Sequence, residues 1–282
     1  MNRPLDAAQS AITENRRVHD RAAARYDAGH PEIFNDVEQA RLAATIPRVL
    51  AEVRDAQGPP RVLDVGAGTG NLTRHFLAAG AHVTAADLSE GMLAIVRGRF
   101  AHTGRLETLP LDGVDLRGIP DATFDVVAAY SVLHHVPDYL ALVRDMVRVT
   151  RPGGVVYLDH ERDDSAWSPS SAYLAFLVDA VVFPPRRWTR YLNPKKYWNR
   201  VRPLLVWQRW RNPRWMPEGD LHIWPDDHIE WAKIRDVLAA SGAAPIIDEA
   251  YLLFERRYQR DAWEQHRTRT ADTRMLVARR TT

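Results

Sequence analysis

One stretch of this chain decides its fold: Arg61-Val62-Leu63-Asp64-Val65-Gly66-Ala67-Gly68-Thr69-Gly70-Asn71-Leu72-Thr73. The apolar run at Val62, Leu63 and Val65 predicts a strand buried inside a parallel sheet. Three glycines at alternate positions follow, and glycine lets the backbone approach a ligand where a Cβ would collide. The residues from Asn71 onward predict a helix that ends at Gly80. A strand, a glycine turn and a helix N-terminus in this order are typical of a nucleoside-binding site at the carboxyl edge of a sheet.

The spacing of these glycines distinguishes the stretch from two other nucleotide-binding motifs. Dinucleotide sites carry G-x-G-x-x-G, whereas this chain has G-x-G-x-G at Gly66, Gly68 and Gly70. A P-loop would end in Gly-Lys-Ser or Gly-Lys-Thr, and neither follows here. A plain tight turn is the alternative interpretation, so the rest of the chain has to decide between the two.

Composition narrows the class of protein. The chain has 282 residues, of which 45% are hydrophobic, and this suits one large packed domain or one domain with an insertion. It has no cysteine, which excludes disulfides, thiolate metal sites and a cysteine nucleophile. Because we find neither an apolar signal-peptide core nor about 18 consecutive uncharged apolar residues, we expect a cytoplasmic protein.

Strands and helices are predicted to alternate along the chain. Helices are expected over residues 7–28 and 34–53, and four further strands over 81–87, 105–111, 122–130 and 155–160. Another helix over 227–241 precedes two last strands, over 245–254 and 274–279. Alternation of this kind predicts a parallel sheet whose strands are joined by crossover helices.

An acid stands at the tip of the second predicted strand. Asp87 follows Gly70 by 17 residues, and a carboxylate in this place can accept hydrogen bonds from both hydroxyls of a ribose. A helix-capping role for Asp87 is the alternative. The combination of strand, acid and spacing favours the ribose.

Three more short motifs follow in order at the predicted strand ends: Phe124-Asp125-Val126-Val127, Leu133-His134-His135-Val136 and Arg151-Pro152-Gly153-Gly154. Together with the glycine stretch they resemble the ubiquinone/menaquinone-type branch of the class I methyltransferases that depend on S-adenosylmethionine (SAM). The resemblance covers residues 20–160. It implies an α/β fold with a Rossmann-like, doubly wound sheet of seven strands. Most strands are expected to be parallel, with an antiparallel hairpin at the edge and a helical insertion after the fifth strand.

The resemblance implies SAM as the cofactor and assigns residues to it. Asp112 would accept a hydrogen bond from the adenine amino group, and Asp115 is a competing candidate because Val114 and Asp115 are extra here. Tyr26, at the end of the first helix, would lie in a segment that closes over SAM; a tyrosine packed at a helix end is the alternative. The expected cofactor-binding residues are Asp64, Gly66, Ala67, Gly68, Gly70, Asp87, Leu88, Asp112, Gly113, Tyr130 and Tyr26.

Three histidines after the fourth and fifth strands are candidates for catalysis. Methyl transfer from a sulfonium mainly requires alignment of the reactants, and a base is needed only when the acceptor must lose a proton. Histidine suits that role near neutral pH, so His134 and His135 are the first candidates and His160 the last. Packing of the loop is the alternative role for the adjacent pair. A metal site at Asp159-His160-Glu161 is a further alternative. Solvated polar residues at the end of a strand are strongly favoured as the interpretation of this segment, so no metal is predicted.

The remaining sequence divides the chain into parts. We expect residues 1–56 to form helices over the cofactor site, residues 57–164 and 225–282 to form the SAM-binding core, and residues 165–224 to form a helical insert. Within the insert, residues 181–217 carry ten Lys or Arg, five Trp and no acid. A lid over the acceptor pocket is the first interpretation of the insert. Contact with an anionic membrane is the second, and RNA binding is the third.

These patterns favour SAM-dependent methyl transfer to a small or lipid-like acceptor, with a hydroxyl oxygen as the expected target. Three alternatives stay open: methylation of RNA through the basic insert, SAM binding by a regulatory protein without catalysis and, more remotely, a nicotinamide-dependent oxidoreductase. The Asn/Asp-Pro-Pro-Tyr motif of amino-directed nucleic-acid methyltransferases is missing after the fourth strand, which argues against nucleic acid. Peripheral contact of the insert with an anionic membrane stays open as the second interpretation. The sequence indicates neither the identity of the acceptor nor the oligomeric state.

Overall fold

Helices cover both faces of one sheet in this chain, as the continuous apolar runs of its strands require. The structure is a computed structural model that describes residues 3–113, 115–180 and 229–281. The strands of the described part are β1 (Arg61–Val65), β2 (His82–Asp87), β3 (Leu106–Pro110), β4 (Phe124–Tyr130), β5 (Thr150–Arg162), β6 (Ala243–Tyr251) and β7 (Thr273–Arg280). Their order is β3-β2-β1-β4-β5-β7-β6, and only the two pairs that involve β7 are antiparallel. The predicted seven-stranded fold with an antiparallel edge hairpin is confirmed.

Several helices begin where the sequence supplies an N-cap. The described α-helices are α1 (Arg3–Ala22), α2 (Tyr26–Gly29), α3 (Asp36–Ala51), α4 (Asn71–Ala78), α5 (Glu90–Phe100), α6 (Tyr139–Val149), α7 (Ser171–Ala180), α8 (Trp231–Ala240) and α9 (Arg260–His266). Asn35, Ser89 and Asp138 each accept a hydrogen bond from the backbone N–H three residues further on, at 2.9, 3.1 and 2.9 Å. These caps set the starts of α3, α5 and α6.

Two apolar cores lie on the two faces of the sheet. Val62 and Leu63 are neighbours on β1 and point to opposite faces, so each belongs to a different core. Side chains of α3 and α4 cover the face of Val62, and side chains of α6 and α8 cover the face of Leu63. Because both faces are buried, the carboxyl ends of the parallel strands are the open place for a ligand.

A β-bulge interrupts the end of β5, which runs two residues beyond the predicted 155–160. Leu158 pairs with Leu276 and Glu161 with Arg274, so β5 has one residue more than β7 between these pairs. His160 lies in the bulge with a φ of 62°, a left-handed backbone. Because side chains alternate along a strand, the extra residue turns Glu161 to the same face as Leu158.

The start of the predicted insert packs against the C-terminal part of the chain. Phe176 of α7 shares a small apolar cluster with Tyr258 and with Trp263 of α9, a helix that was not predicted. The rest of the insert, with its basic residues and tryptophans, lies outside the described residues. The expected lid and the division of the chain at residues 56, 164 and 224 therefore stay predictions. In the described ranges, no helix has the length and apolar character needed to cross a membrane.

Candidate cofactor and active site

A pocket lies at the carboxyl ends of β1, β2 and β4. The predicted cofactor residues in its walls are Gly66, Gly68, Asp87, Leu88, Gly113 and Tyr26. One side is formed by α1 through Ile12, Asn15 and His19, which the sequence prediction did not include. The loop after β4 adds Ser131 and His135. The pocket therefore brings together the glycine stretch, the acid of β2 and one of the candidate histidines.

The three glycines after β1 serve different purposes, although all have positive φ. A Cβ on Gly66 would come within 2.5 Å of Val132, and one on Gly70 within 2.6 Å of Phe100, so packing of the protein itself excludes side chains there. A Cβ on Gly68 would meet no protein atom within 4 Å. Because Gly68 lines the pocket, the space that its missing side chain leaves is ligand space.

Asp87 is held at the end of β2 by two backbone donors. The N–H of Gly68 donates to Oδ2 and the N–H of Ser89 donates to Oδ1, both at 2.8 Å. Burial raises the pKa of Asp87, and these two hydrogen bonds act in the opposite direction. Each carboxylate oxygen can accept a second hydrogen bond, so Asp87 can still receive the hydroxyls of a ribose.

Two predicted cofactor residues of the glycine stretch face away from the pocket. Asp64 points to α4, where the hydroxyl of Thr73 donates to its Oδ2 at 2.6 Å. Burial raises the pKa of Asp64 to about 7. Ala67 packs in an apolar cluster with Ala85 and Val96. Among the described residues, neither Asp64 nor Ala67 lines the pocket, and Gly70 does not line it either. Alternation along β1 turns Asp64 to the protein interior, and packing against α5 does the same for Ala67 and Gly70.

After β3 the pocket is lined by Gly113 and Asp115, whereas Asp112 is exposed and not among the lining residues. The competing candidate is therefore the acid that the structure places at the pocket. Asp115 also forms an ion pair with the exposed Arg117 at 2.8 Å. A Cβ on Gly113 would lie 2.9 Å from Ile12 and 3.0 Å from Leu88, so both side chains pack over this glycine.

Tyr130, the last residue of β4, also points away from the pocket. Its hydroxyl donates to Glu38 of α3 at 2.8 Å, and its ring stacks on His160 with 4.6 Å between centroids. Arg41 bonds both Glu38 and Asp159, at 2.6 and 2.7 Å, on the same face of the sheet. The side chains of Tyr130 and His160 therefore belong to a buried charge network beneath α3, not to the pocket wall.

His160 keeps one unusual feature within that network. Its Nε2 is buried and has no hydrogen-bond partner in the described part of the chain. Burial lowers the pKa of His160, since it disfavours the charged imidazolium. A neutral ring stacked on Tyr130 fits the packing role better than the catalytic role that the sequence suggested as its last candidate. The metal alternative fails as well, because the bulge sends the carboxylates of Asp159 and Glu161 to opposite faces.

Glu161 organises the loop after β4, and sequence reasoning did not find this role. The backbone N–H groups of Val132 and Leu133 both donate to its Oε1 at 2.7 Å. The Nδ1 of His134 donates to its Oε2 at 2.8 Å. The rings of His134 and His135 lie 4.0 Å apart between centroids. Glu161 thus fixes the backbone of the loop and the histidine against which His135 packs.

The two candidate histidines of the loop take different places. His134 is buried against Glu161, whereas His135 lines the pocket. The ring of His19 from α1 lies 5.9 Å from the ring of His135, across the pocket wall. A base that acts on a bound acceptor has to reach the pocket, so the geometry separates His135, which does, from His134, which supports it.

Two carboxylates of the N-terminal segment tie it to the loops around the pocket. Asp20 of α1 accepts hydrogen bonds from the hydroxyl of Ser89 at 2.5 Å and from the N–H of Gly91 at 3.1 Å. Asp27 of α2 accepts one from the hydroxyl of Thr69 at 2.5 Å. It also pairs with Arg99 of α5 at 2.8 Å. The N-terminal helices are therefore held against the glycine stretch and the loop after β2.

The residues of the pocket fit SAM. The space beside Gly68 admits a ligand close to the backbone, and Asp87 presents an acceptor at the end of β2. Leu88, Gly113 and Ile12 form an apolar wall next to that acid, which suits a purine ring. The pocket therefore offers an acceptor for ribose hydroxyls and an apolar wall for a purine, which are the groups that an adenosine requires.

Comparison with known proteins gives the family. Residues 63–158 match the family model of the methyltransferase domain. A demethylmenaquinone methyltransferase of Streptomyces griseus is 33% identical over 183 residues, which cover 64% of this chain and 74% of that protein. A ubiquinone biosynthesis O-methyltransferase of Alkalilimnicola ehrlichii is 25% identical over 210 residues, which cover 69% of this chain and 82% of that protein.

Solved structures show the same fold. A SAM-dependent methyltransferase from Mesorhizobium loti superposes with a TM-score of 0.52 at 22% identity, and the match covers 84% of this chain and 98% of that one. Magnesium protoporphyrin IX methyltransferase from Synechocystis PCC 6803, solved with bound SAM, gives a TM-score of 0.52 at 17% identity over 95% and 97% of the two chains. The sequence match to the Streptomyces protein, the fold and the pocket together show that this chain belongs to the class I SAM-dependent methyltransferases, enzymes whose cofactor is SAM.

Proposed function

We propose that this methyltransferase acts on a hydroxyl oxygen of a small or lipid-like acceptor, with His135 as the base. The observation that carries the proposal is the place of His135 in the wall of the cofactor pocket, supported from behind by His134 and Glu161. The two sequence relatives are named for demethylmenaquinone and for ubiquinone biosynthesis. Their names support a quinone-related ring with free hydroxyls as the acceptor class.

When bound, SAM would supply a methyl group on a positively charged sulfur. A bond from the acceptor oxygen to this methyl group would form as the sulfur–carbon bond breaks, and the electron pair of the broken bond would stay on sulfur. The protein has to align the acceptor and, for a hydroxyl, to receive its proton. A ring nitrogen of His135 would take that proton. Asp87 and the backbone at Gly68 would hold the adenosine side of the pocket and leave the acceptor to approach from the side of His135.

The test is transfer of a labelled methyl group from SAM to a hydroquinone that has both a free hydroxyl and a free ring carbon beside it. We expect the label as a methyl ether, identified by fragmentation of the product. The matched acceptor has the same ring with both hydroxyls already methylated, and it should stay unlabelled. His135→Ala should lower turnover about 10²–10⁴-fold while the affinity for S-adenosylhomocysteine is kept. His102→Ala, at an exposed histidine, is the control and should leave both unchanged.

Different results would contradict different parts of the proposal. A methyl group on the ring carbon would refute the oxygen as target. Full turnover of His135→Ala would refute the base. Label in RNA and in none of the ring acceptors would favour the nucleic-acid alternative, and tight binding of SAM without transfer to any acceptor would favour a regulatory protein.

We also propose that the insert over residues 165–224 covers the acceptor side and favours an anionic or membrane-associated acceptor. Its charge supports this, because the ten Lys or Arg of residues 181–217, a stretch without an acid, attract anionic surfaces. Flotation with anionic vesicles tests the membrane part: binding should appear at low salt and weaken as salt rises. The membrane contact is refuted if the protein does not float at low salt.

A further inference from the structure

We propose that Asn15 binds the adenosine half of SAM, as a recognition residue that α1 supplies to the pocket. Asn15 is only 4% exposed, and it lines the pocket. Its Oδ1 is buried and has no hydrogen-bond partner in the described part of the chain. Buried polar atoms without a partner are costly and rare in folded proteins, so a buried carbonyl oxygen at a ligand pocket indicates that the ligand brings the donor.

The position of Asn15 on α1 indicates that it contacts the adenosine half of SAM. Ile12, Asn15 and His19 are spaced by three and four residues, so they lie on one face of the helix. Ile12 contacts the apolar wall over Gly113. At the other end of this face, His19 lines the same pocket as Asp87. Burial raises the pKa of Asp87, and the charge of His19 acts against this rise. Asn15 is therefore placed between the wall for the purine and the acid for the ribose.

The helix that carries Asn15 is already fastened to the pocket. Asp20, five residues after Asn15, accepts hydrogen bonds from Ser89 and Gly91, in the loop and first turn of α5 directly after the acid of β2. A Cβ on Gly91 would lie 3.2 Å from Asp20, so the helix and the loop are in close contact. These contacts hold the part of α1 that carries Asn15, so its backbone needs little ordering when the ligand arrives.

The chemistry of the ligand fits a carbonyl acceptor in this place. Adenosine offers hydrogen-bond donors at its 6-amino group and at its ribose hydroxyls. An asparagine amide has one acceptor oxygen and two donor hydrogens, and it can match the alternating donor and acceptor atoms of an adenine edge. The homocysteine half of the ligand has its charged groups at the opposite end, so the contact should depend on adenosine alone.

The experiment measures binding of S-adenosylhomocysteine by calorimetry to the full-length protein and to Asn15→Leu, which keeps the size of the side chain and removes its polar atoms. We expect a loss of affinity of about 10- to 100-fold. Arg16→Leu, at an exposed position of the same helix, is the control and should bind normally. The thermal midpoint of the ligand-free variant should be equal to or higher than that of the original protein, because an unpaired buried oxygen is removed; a purely structural asparagine would give a lower one.

Three analogues of S-adenosylhomocysteine identify the donor: one without the 6-amino group, one without the 2′-hydroxyl and one without the 3′-hydroxyl. The original protein and Asn15→Leu should bind one of these with equal affinity, because the donor for Asn15 is then missing in both cases. Equality for the first analogue assigns the contact to adenine, and equality for either of the others assigns it to the ribose. The inference is overturned if Asn15→Leu binds S-adenosylhomocysteine normally. It is also overturned if the variant is weaker by the same factor for every analogue.

Discussion

Glu161→Ala should destabilise the protein by removing the acceptor that holds the loop after β4. The side chain is 2% exposed and accepts hydrogen bonds from the N–H groups of Val132 and Leu133 and from His134, at 2.7, 2.7 and 2.8 Å. Each buried donor that loses its partner costs about 1–3 kcal/mol, so two backbone donors and one imidazole give a loss of about 3–9 kcal/mol. At about 2–4 °C per kcal/mol for a chain of this size, the thermal midpoint should fall by about 6 °C or more.

The matched variant is Glu161→Gln. Its amide oxygen can still accept from both backbone N–H groups, and its amide nitrogen can donate to the other tautomer of the His134 ring. We therefore expect a loss below about 1.5 kcal/mol for Gln. The free energy of unfolding from urea titration compares the two variants, and turnover of each is measured below its own melting temperature.

Turnover should fall more than the affinity for S-adenosylhomocysteine in Glu161→Ala, because the loop carries His135, the proposed base, whereas Asp87, the proposed ribose acceptor, is on β2. If the alanine variant unfolds within about 1 kcal/mol of the original protein, the three hydrogen bonds do not organise the loop and the reasoning is refuted. If the variant loses ligand affinity and turnover equally, Glu161 supports the whole pocket and not the side of His135.

Two further predictions concern the glycine stretch. Gly68→Ala should weaken binding of S-adenosylhomocysteine at least about tenfold, because the new methyl group fills ligand space, and it should lower the free energy of unfolding by about 1–2 kcal/mol because of the left-handed backbone. The control is Gly104→Ala: Gly104 also has a positive φ, of 65°, and has open space around it, but it lies outside the pocket. This variant should lose the same stability and bind the ligand normally. Since burial raises the pKa of Asp64 to about 7, the folded state binds its proton more tightly than the unfolded state, so stability from this group is greatest in acid and declines with rising pH. Between about pH 4 and 7 the free energy of unfolding of the original protein should fall by about 3 kcal/mol relative to Asp64→Asn, and parallel curves for the two proteins would contradict the assignment.

Local patterns were sufficient to predict the sheet and the meeting of the glycine stretch and the acid of β2 at one pocket. The glycine spacing and the acid 17 residues later are near in sequence and belong to adjacent parallel strands, β1 and β2, so their meeting at one edge follows from topology. Gly68 and Asp87 indeed touch, through the hydrogen bond between them. It was harder to predict which residues at the strand ends face the pocket. Asp64 on β1 and Tyr130 on β4 carry suitable groups, but strand alternation turns both to the face of α3 and α4.

The parts that could not be predicted depend on contacts between distant residues. Asn15 and His19 reach the pocket only because α1 packs over it, and no local pattern marks them. His134 and His135 are neighbours in the sequence, and only Glu161, on another strand, separates their roles. The helix α9 has only seven residues and is stabilised by packing against α7. A helix this short has too few turns to show a hydrophobic periodicity in the sequence.

The bulge in β5 decides the face on which Glu161 lies. If the same residues formed a regular strand, simple alternation would return Glu161 to the face of Asp159 and Glu38, so that Arg41 would meet three carboxylates in place of two. The loop after β4 would lose its acceptor in the same step. Loss of one residue from the bulge has the opposite result: Asp159 alone then lies between Leu158 and Glu161, as Met275 alone lies between Leu276 and Arg274, and Glu161 keeps its face. A relative with a one-residue alignment gap between positions 158 and 161 can therefore build the same loop on a regular strand, provided that the carboxylate is retained.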